Sequence, residues 1–550
     1  MIRDKFLEIF RDIFKCSRFI KNQNALDVTC PGYYSLNFRN VSTTDVMKKL
    51  RQLDIGKATG YDKIPAKLVK ITAPKIVSSL TRLINKCIKD SVFPDSLKYA
   101  DILPCFKAKE DHLKENYRPI SILPIFSKIF EKLLNDQLRD YFDTILSKLL
   151  SAFRKNYSLQ AVLLKMIDDW KKALDNGKTV GVVMIDLSKA FDIIPHLYLL
   201  AKLENYGLSQ NAMLLMKSYL SNRHQRVKIG NSYSDWSEVK CGVPQGSILG
   251  PLLFNIFVND MFYVIENCDM YNYADDNTMG DCNDNVHDLI KNVESDLSNL
   301  LAWFIANCMT AHPEKFQCMT MGKLANQISF HIDGRILSPS TSVKVLGITI
   351  DDKLLFREHV RIICQKAAKQ LNVLKRLHRY LNFESRMAIY RSFIMSNFTY
   401  CPLVWHFCSI EQSRLIEKLQ ERALRFVYND FSSSYTALLL RGDHQTLYIS
   451  RLKTMAIEVY KALHGLCPEY ISDLITLKEN KYELRSSIRL IQPKCNSVTH
   501  GLYSFSYKAP KIWNDLPEEC KNAVTLKEFK NIIKMWNGPK CLCNMCSKLL

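Results

Sequence analysis

The stretch "MYNYADDNTM", Met270 to Met279, sets two aspartates side by side behind an alternating run of aromatic residues. Tyr271 and Tyr273 have the period-two spacing of a half-buried strand, Asp275 and Asp276 fall at a turn, and "TMG" gives the start of a returning strand. The stretch therefore predicts a β-hairpin that lifts both carboxylates to the rim of a sheet. Adjacency alone decides nothing, because most such pairs are solvated turns or helix starts. Asp168-Asp169 and Asp351-Asp352 repeat the dipeptide in this chain.

A second run, "TVGVVMIDLSKAFD", supplies the context. Val180 to Ile185 predicts a buried strand that ends in Asp186, followed by a helix from about Pro195 that stops at Gly207. An acid at the end of a buried strand must be solvated in a cleft, paired, or bound to a cation. If this strand neighbours the hairpin, Asp186, Asp275 and Asp276 meet at one place, and a divalent metal would relieve their repulsion. Mg²⁺ favours a few carboxylates plus substrate phosphates. Two such ions ~4 Å apart can stabilise both oxygens of an in-line phosphoryl displacement.

The bulk properties agree with a polyanionic partner. The chain has 550 residues, enough for two to four domains, and 76 Lys and Arg against 55 Asp and Glu give a net charge of +21. Such an excess suits nucleic acid or an anionic membrane surface. The 18 cysteines are scattered and suit a reducing compartment. No apolar run approaches the ~20 residues of a membrane helix; "ILGPLLFNIFV" is broken by Pro251 and Asn255. The start "MIRDKFLEIFRDIF" predicts a short amphipathic helix, not a signal peptide. These features predict an intracellular protein.

Changes of pattern divide the chain. Residues 1–35 predict a helix and a polar connection. From 36 to about 105 the pattern is mostly helical, with "KATGYDKIPAKLVK" a turn before a helix whose first turn holds Pro65. Short β-like runs alternate with helices to 350, and helices dominate beyond 353. One of these places Val360, Ile363, Ala367, Leu371 and Leu374 on one face, with Arg361, Lys366, Lys369, Lys375, Arg376 and Arg379 largely elsewhere.

Six blocks in order, "YRPISILPIFSKIFEKLL", "SAFRKNYSLQAVLL", "MIDLSKAFDIIPH", "GVPQGSILGPLLFNIFVND", "YADD" and "VKVLGITIDDKL", closely resemble the fingers and palm of reverse transcriptases. More narrowly, they resemble those of non-long-terminal-repeat (LINE-like) retrotransposons of the jockey type. The resemblance covers about residues 36–352 and continues less specifically to the C-terminus. It implies an α+β right-hand polymerase, with an antiparallel palm sheet, mixed fingers, and a helical thumb extended by further C-terminal helices. The expected division is 1–35 N-terminal helix and connection, 36–352 fingers and palm, and 353–550 thumb and C-terminal extension.

The resemblance also implies roles. Asp186, Asp275 and Asp276 become the catalytic carboxylates, with the Leu187 carbonyl helping to hold two Mg²⁺ ions for which Mn²⁺ can substitute. Phe191 is the expected steric gate against a ribose 2′-hydroxyl. In "GVPQGSILGP", Gln245 and Gly246 would lie beneath the templating pair and the incoming nucleotide; glycine permits such close approach. Lys107 and Arg118 would hold the triphosphate, and Arg154 is a weaker template or nucleotide contact. Lys315 matches a lysine that protonates leaving pyrophosphate, although His312 stands where relatives commonly carry Asn.

Cys541, Cys543 and Cys546 in "KCLCNMC" raise a zinc site, but a structural site wants four ligands. Related polyproteins usually carry an endonuclease ahead of the polymerase, and about 35 residues cannot encode one. The expected activity is RNA-directed DNA synthesis on an RNA template, from dNTPs and a DNA primer or nicked target DNA, in nucleus and cytoplasm and away from membranes. The rivals are a catalytically silent nucleic-acid-binding relic and a host-adopted protein scaffold.

Overall fold

The computed structural model of the chain describes residues 35–538 apart from 108–109, 188 and 479–487. The expected N-terminal amphipathic helix and the cysteines of the C-terminal tail lie outside the described residues.

The two largest sheets use nine strands: β1 (Tyr99–Phe106), β2 (Tyr117–Ile122), β3 (Thr179–Ile185), β4 (His224–Ile229), β5 (Ser232–Tyr233), β6 (Ser237–Glu238), β7 (Asp269–Tyr273), β8 (Asp276–Asn283) and β9 (Gln317–Met321). Six helices matter for the site: α1 (Thr43–Arg51), α2 (Ala66–Lys89), α3 (Ile125–Phe142), α4 (Leu159–Asp175), α5 (Gly250–Val258) and α6 (Arg357–Leu377). The chain divides into two compact units, 1–146 with 191–258, and 147–190 with 259–550. The expected boundary at 352/353 falls inside the second unit.

In the first unit, β1 pairs antiparallel with β2 and parallel with β4, which carries the short β5 and β6. The sheet is mixed because β4 reaches β1 only after a long excursion of chain, which permits a parallel pairing. Pro65 takes the N-cap of α2, not its first turn, with its backbone extended at ψ 144°. α5 is buried at all but one of its nine positions, which explains its unbroken apolar sequence.

In the second unit the sheet order is β7-β8-β3-β9, and every pairing is antiparallel. β3 is the central strand on which the acid-bearing hairpin is laid. It is buried at six of seven positions, as its Val-rich sequence requires. The core around β3 and α4 runs on without interruption into α6, where Val360, Ile363, Ala367, Leu371 and Leu374 are all buried. A second core, around Trp513, Tyr460 and Leu452, gathers the helices that follow. Among the described residues no helix is long and apolar enough to cross a membrane.

Candidate active site

β7 and β8 form the predicted hairpin, closed by the pair Tyr273–Asp276 with only Ala274 and Asp275 between them. Ala274 has φ +58°. A left-handed first position is what a two-residue turn of the right twist demands, and it is usually met by Gly. An alanine held there costs about 1–3 kcal/mol, a strain of the kind that gathers at functional sites.

β8 lies against β3 in a register that pairs Ile185 with Asn277. Carried on by one residue, this register sets Asp186 opposite Asp276. The three carboxylates thus come to one end of one sheet, and all three residues are exposed. Like charges facing each other across a ladder are destabilising. Leu187 bridges to Ala311, which draws the loop of Lys315 towards the end of β3.

The other two Asp-Asp pairs show what a structural aspartate looks like here. Asp168, fully buried, accepts the N–H groups of Phe505 and Ser506. Asp169 accepts from Lys165 at 2.6 Å and from the Tyr271 hydroxyl at 2.9 Å, and so ties α4 to β7. Asp351 caps a turn by accepting the N–H groups of Lys353, Leu355 and Phe356. In contrast, Asp186 and Asp275 have no side-chain hydrogen bond or ion pair among the described residues. Structure does not account for their charge.

These residues suit a hard divalent cation of the Mg²⁺ type. Among the described residues no group of three or more His, Cys, Asp or Glu side chains is placed to hold a metal ion. Mg²⁺ does not need one, since it is usually held by one or two carboxylates together with substrate phosphates and water. Asp186 and Asp275, exposed at one end of the sheet, are a donor set of that kind.

Lys315 is exposed at the end of a short 3₁₀ turn, Pro313–Lys315, and its N–H donates to the His312 carbonyl. His312 Nδ1 lies 2.8 Å from the Glu314 carboxylate, so the departure from Asn brings a local side-chain contact into this loop. The Arg154 guanidinium donates to the carbonyls of Ser147 and Leu150 and lies 4.5 Å from the Tyr157 ring, which gives it a loop-holding role.

The first unit holds the remaining candidates. Phe191 stacks on Phe254 of α5, ring centroids 4.2 Å apart and 15° from parallel, and remains partly exposed. The Val243 N–H donates to the Phe191 carbonyl, which joins this segment to the "GVPQG" loop. In that loop the Gln245 amide donates to both oxygens of Asp192, at 2.9 and 3.0 Å. Gly246 has φ +116°, and a Cβ there would sit 2.7 Å from the Ser121 carbonyl oxygen of β2. No other residue fits that approach. Lys107 and Arg118 are exposed, the first just beyond β1 and the second on β2 opposite Cys105.

Sequence reasoning missed two carboxylates that set this loop. One is Asp192, the last residue of "KAFD", which fixes the Gln245 side chain. The other is Glu131 of α3, fully buried, which accepts from Ser127 and from the N–H groups of Ile248 and Leu249 at the start of α5. A carboxylate there satisfies orphan donors and the positive end of the helix together. The signal was an acid in the apolar run "KIFEKLL".

A family model for reverse transcriptases (RNA-dependent DNA polymerases) matches residues 107–350. The chain is 27% identical over 428 residues to a probable RNA-directed DNA polymerase from transposon BS of Drosophila melanogaster, covering 74% of this chain and 46% of that protein. It is 25% identical over 410 residues to the RNA-directed DNA polymerase from mobile element jockey of the same fly, covering 72% and 44%. The chain thus spans just under half the length of these relatives. A solved structure of apo telomerase from Candida tropicalis, truncated from its C-terminal domain, aligns with TM-score 0.33 and 15% identity over 50% of this chain and 59% of that one. Residues 107–350, α+β with an antiparallel sheet that carries the acid-bearing hairpin, thus match the reverse transcriptase family, and the chain is similar over about three quarters of its length to RNA-directed DNA polymerases of mobile elements such as jockey.

Proposed function

We propose that the chain extends a DNA primer on an RNA template by two-metal nucleotidyl transfer. The observation that supports this reading is the strand register that sets Asp186, Asp275 and Asp276 at one end of one sheet, with Asp186 and Asp275 making no side-chain hydrogen bond or ion pair among the described residues. Asp186 and Asp275 would be the main ligands of two Mg²⁺ ions, with Asp276 and the Leu187 carbonyl in support; Mn²⁺ could replace them. When bound, such ions neutralise charge on the triphosphate and lower the pKa of the primer hydroxyl.

The rest is done by the chain's own groups. Lys107 and Arg118 would grip the triphosphate, the guanidinium as a two-pronged donor. The Phe191 ring, braced by Phe254, would fill the space of a 2′-hydroxyl. Gln245, held by Asp192, and the bare backbone at Gly246 would form a floor for the new pair. Lys315 would give a proton to departing pyrophosphate. Arg154 has the weakest claim, a template or nucleotide contact beside its loop-holding bonds. In this reading residues 36–352 supply fingers and palm and 353–550 the thumb and its extension. Template RNA, primer or nicked target DNA and dNTPs place the enzyme inside the cell, in nucleus and cytoplasm.

Primer extension on poly(rA)/oligo(dT) with Mg²⁺, beside an Asp275→Asn control, tests the reading. Extension by the parent and none by the variant is expected. RNA binding without extension by either would identify a silent nucleic-acid-binding relic, and neither property would identify a protein scaffold.

A further inference from the structure

α2 carries Lys67, Lys70, Lys75, Arg82, Lys86 and Lys89 in 24 residues and not one acid. Its buried face is apolar, with Val69, Ala73, Val77, Ile84 and Ile88 in the interior of the first unit. Lys70 leans to the side and donates to the Leu53 carbonyl. At 3.6 residues per turn, the other five cations fall within a sector of about 100° on the opposite face, along a line of about 33 Å. All five are exposed, and none enters an ion pair among the described residues. The surrounding segment, 43–98, holds twelve Lys and Arg against five Asp and Glu.

A face kept only for solubility mixes both signs. This one is of a single sign over a length on the order of one turn of a nucleic-acid duplex. Phosphates along each strand of a duplex are far more closely spaced than the cations of α2, so each cation finds one within reach. A membrane surface is the weaker fit. An interfacial helix buries its apolar face in lipid, whereas the apolar face of α2 is already used by the protein core. Leu68, Ile71 and Leu83 are exposed but isolated among the cations.

We propose that the exposed face of α2 docks the phosphate backbone of a base-paired stem in the RNA that this domain copies, outside the residues of the candidate active site. The choice of RNA rests on the polymerase reading; the face itself asks for a polyphosphate rod.

The test is binding of a labelled RNA hairpin, with a stem of about 20 base pairs, by the full chain across a salt series. The variant Lys75→Gln/Arg82→Gln/Lys86→Gln/Lys89→Gln should bind at least tenfold more weakly, with a log–log salt slope smaller by about 3. A companion, Lys75→Arg/Lys86→Arg/Lys89→Arg, should bind like the parent, and Lys75→Gln/Lys86→Gln should lower the slope about half as much as the fourfold change. Unchanged affinity and slope in the Gln variants would overturn the proposal. So would intact hairpin binding with lost attachment to phosphatidylserine vesicles, which would make α2 a membrane face. Catalysis is not read in these assays. Failure of the parent to extend an annealed primer would sink the polymerase reading and leave the docking result standing.

Discussion

Asp186 stands opposite Asp276 across the β3–β8 ladder, one residue past the last paired position, Ile185 with Asn277. Facing carboxylates repel each other, and the proposed metal ions would relieve that repulsion. Asp186→Asn and Asp275→Asn should each cut primer extension by at least ~10³-fold, because each removes a ligand for charge that develops in the transition state. Binding of template RNA should persist, since neither residue supports the sheet. Near-normal extension by both variants would remove the metal assignment.

Phe191 lies flat on Phe254, which holds its ring in one place. Phe191→Val should therefore admit ribonucleotides while dNTP use stays largely intact. It should also cost about 1–2 kcal/mol of stability through lost volume and stacking. Competition between rNTP and dNTP in single-nucleotide extension, with a melting curve alongside, separates the roles. A lower melting temperature with unchanged discrimination would make Phe191 a packing residue only.

Acid should unfold the second unit early. His359 is buried, its Nδ1 accepts the Thr349 N–H, and burial followed by the charge of Lys366 lowers its pKa to about 4. The free imidazole titrates near 6.5. Between those values the unfolded chain binds a proton that the native chain refuses, so stability falls as pH drops from 6.5 towards 4. This residue alone accounts for about 3 kcal/mol by that linkage. His406, fully buried, is pushed the same way. His359→Asn keeps an acceptor for Thr349 without the titration. Urea unfolding at pH 7 and 4.5 should show a smaller acid loss in the variant; an equal loss would assign the effect to other groups.

The parts of the molecule legible in the sequence are those whose signal is local. β3 announced itself as an apolar run, the β7–β8 hairpin as alternation plus a turn, and α6 as a 3.6-residue stripe, each of which needs only its own residues. The contacts that prepare the site are of another kind. Glu131 reaches Ile248, Asp192 reaches Gln245 and Leu187 bridges Ala311. None has a spacing rule, because each depends on how distant elements come together. The same holds for the interleaved units. The pairing of Tyr99 with His224 returns residues 191–258 to the first unit, and no change of composition marks the crossing. At 352/353 the pattern does change, from strands to helices, yet the core beneath is continuous from Ile350 to Val360.

α6 offers the last test. Its apolar stripe is buried, and Lys366, Lys369, Lys375 and Arg376 are exposed. Arg361 is already engaged with Glu358 and is left out. If these four cations seat a template–primer duplex, binding should weaken steeply with salt, roughly six to ten phosphate contacts costing about 10³–10⁵ between 50 and 200 mM. Changing all four to Gln should lower the slope of log affinity against log salt by about 3 to 4, a little under one counterion per lost contact. The buried stripe is untouched, so the melting temperature should hold, apart from the small relief of His359 when Lys366 loses its charge. A template–primer with a duplex much shorter than the α2 face is the right probe, because it offers α2 few phosphates to engage. The α6 variant should weaken on this probe and the α2 variant should not, with the reverse order on the hairpin. An unaltered slope in the α6 variant would place the duplex on some other surface.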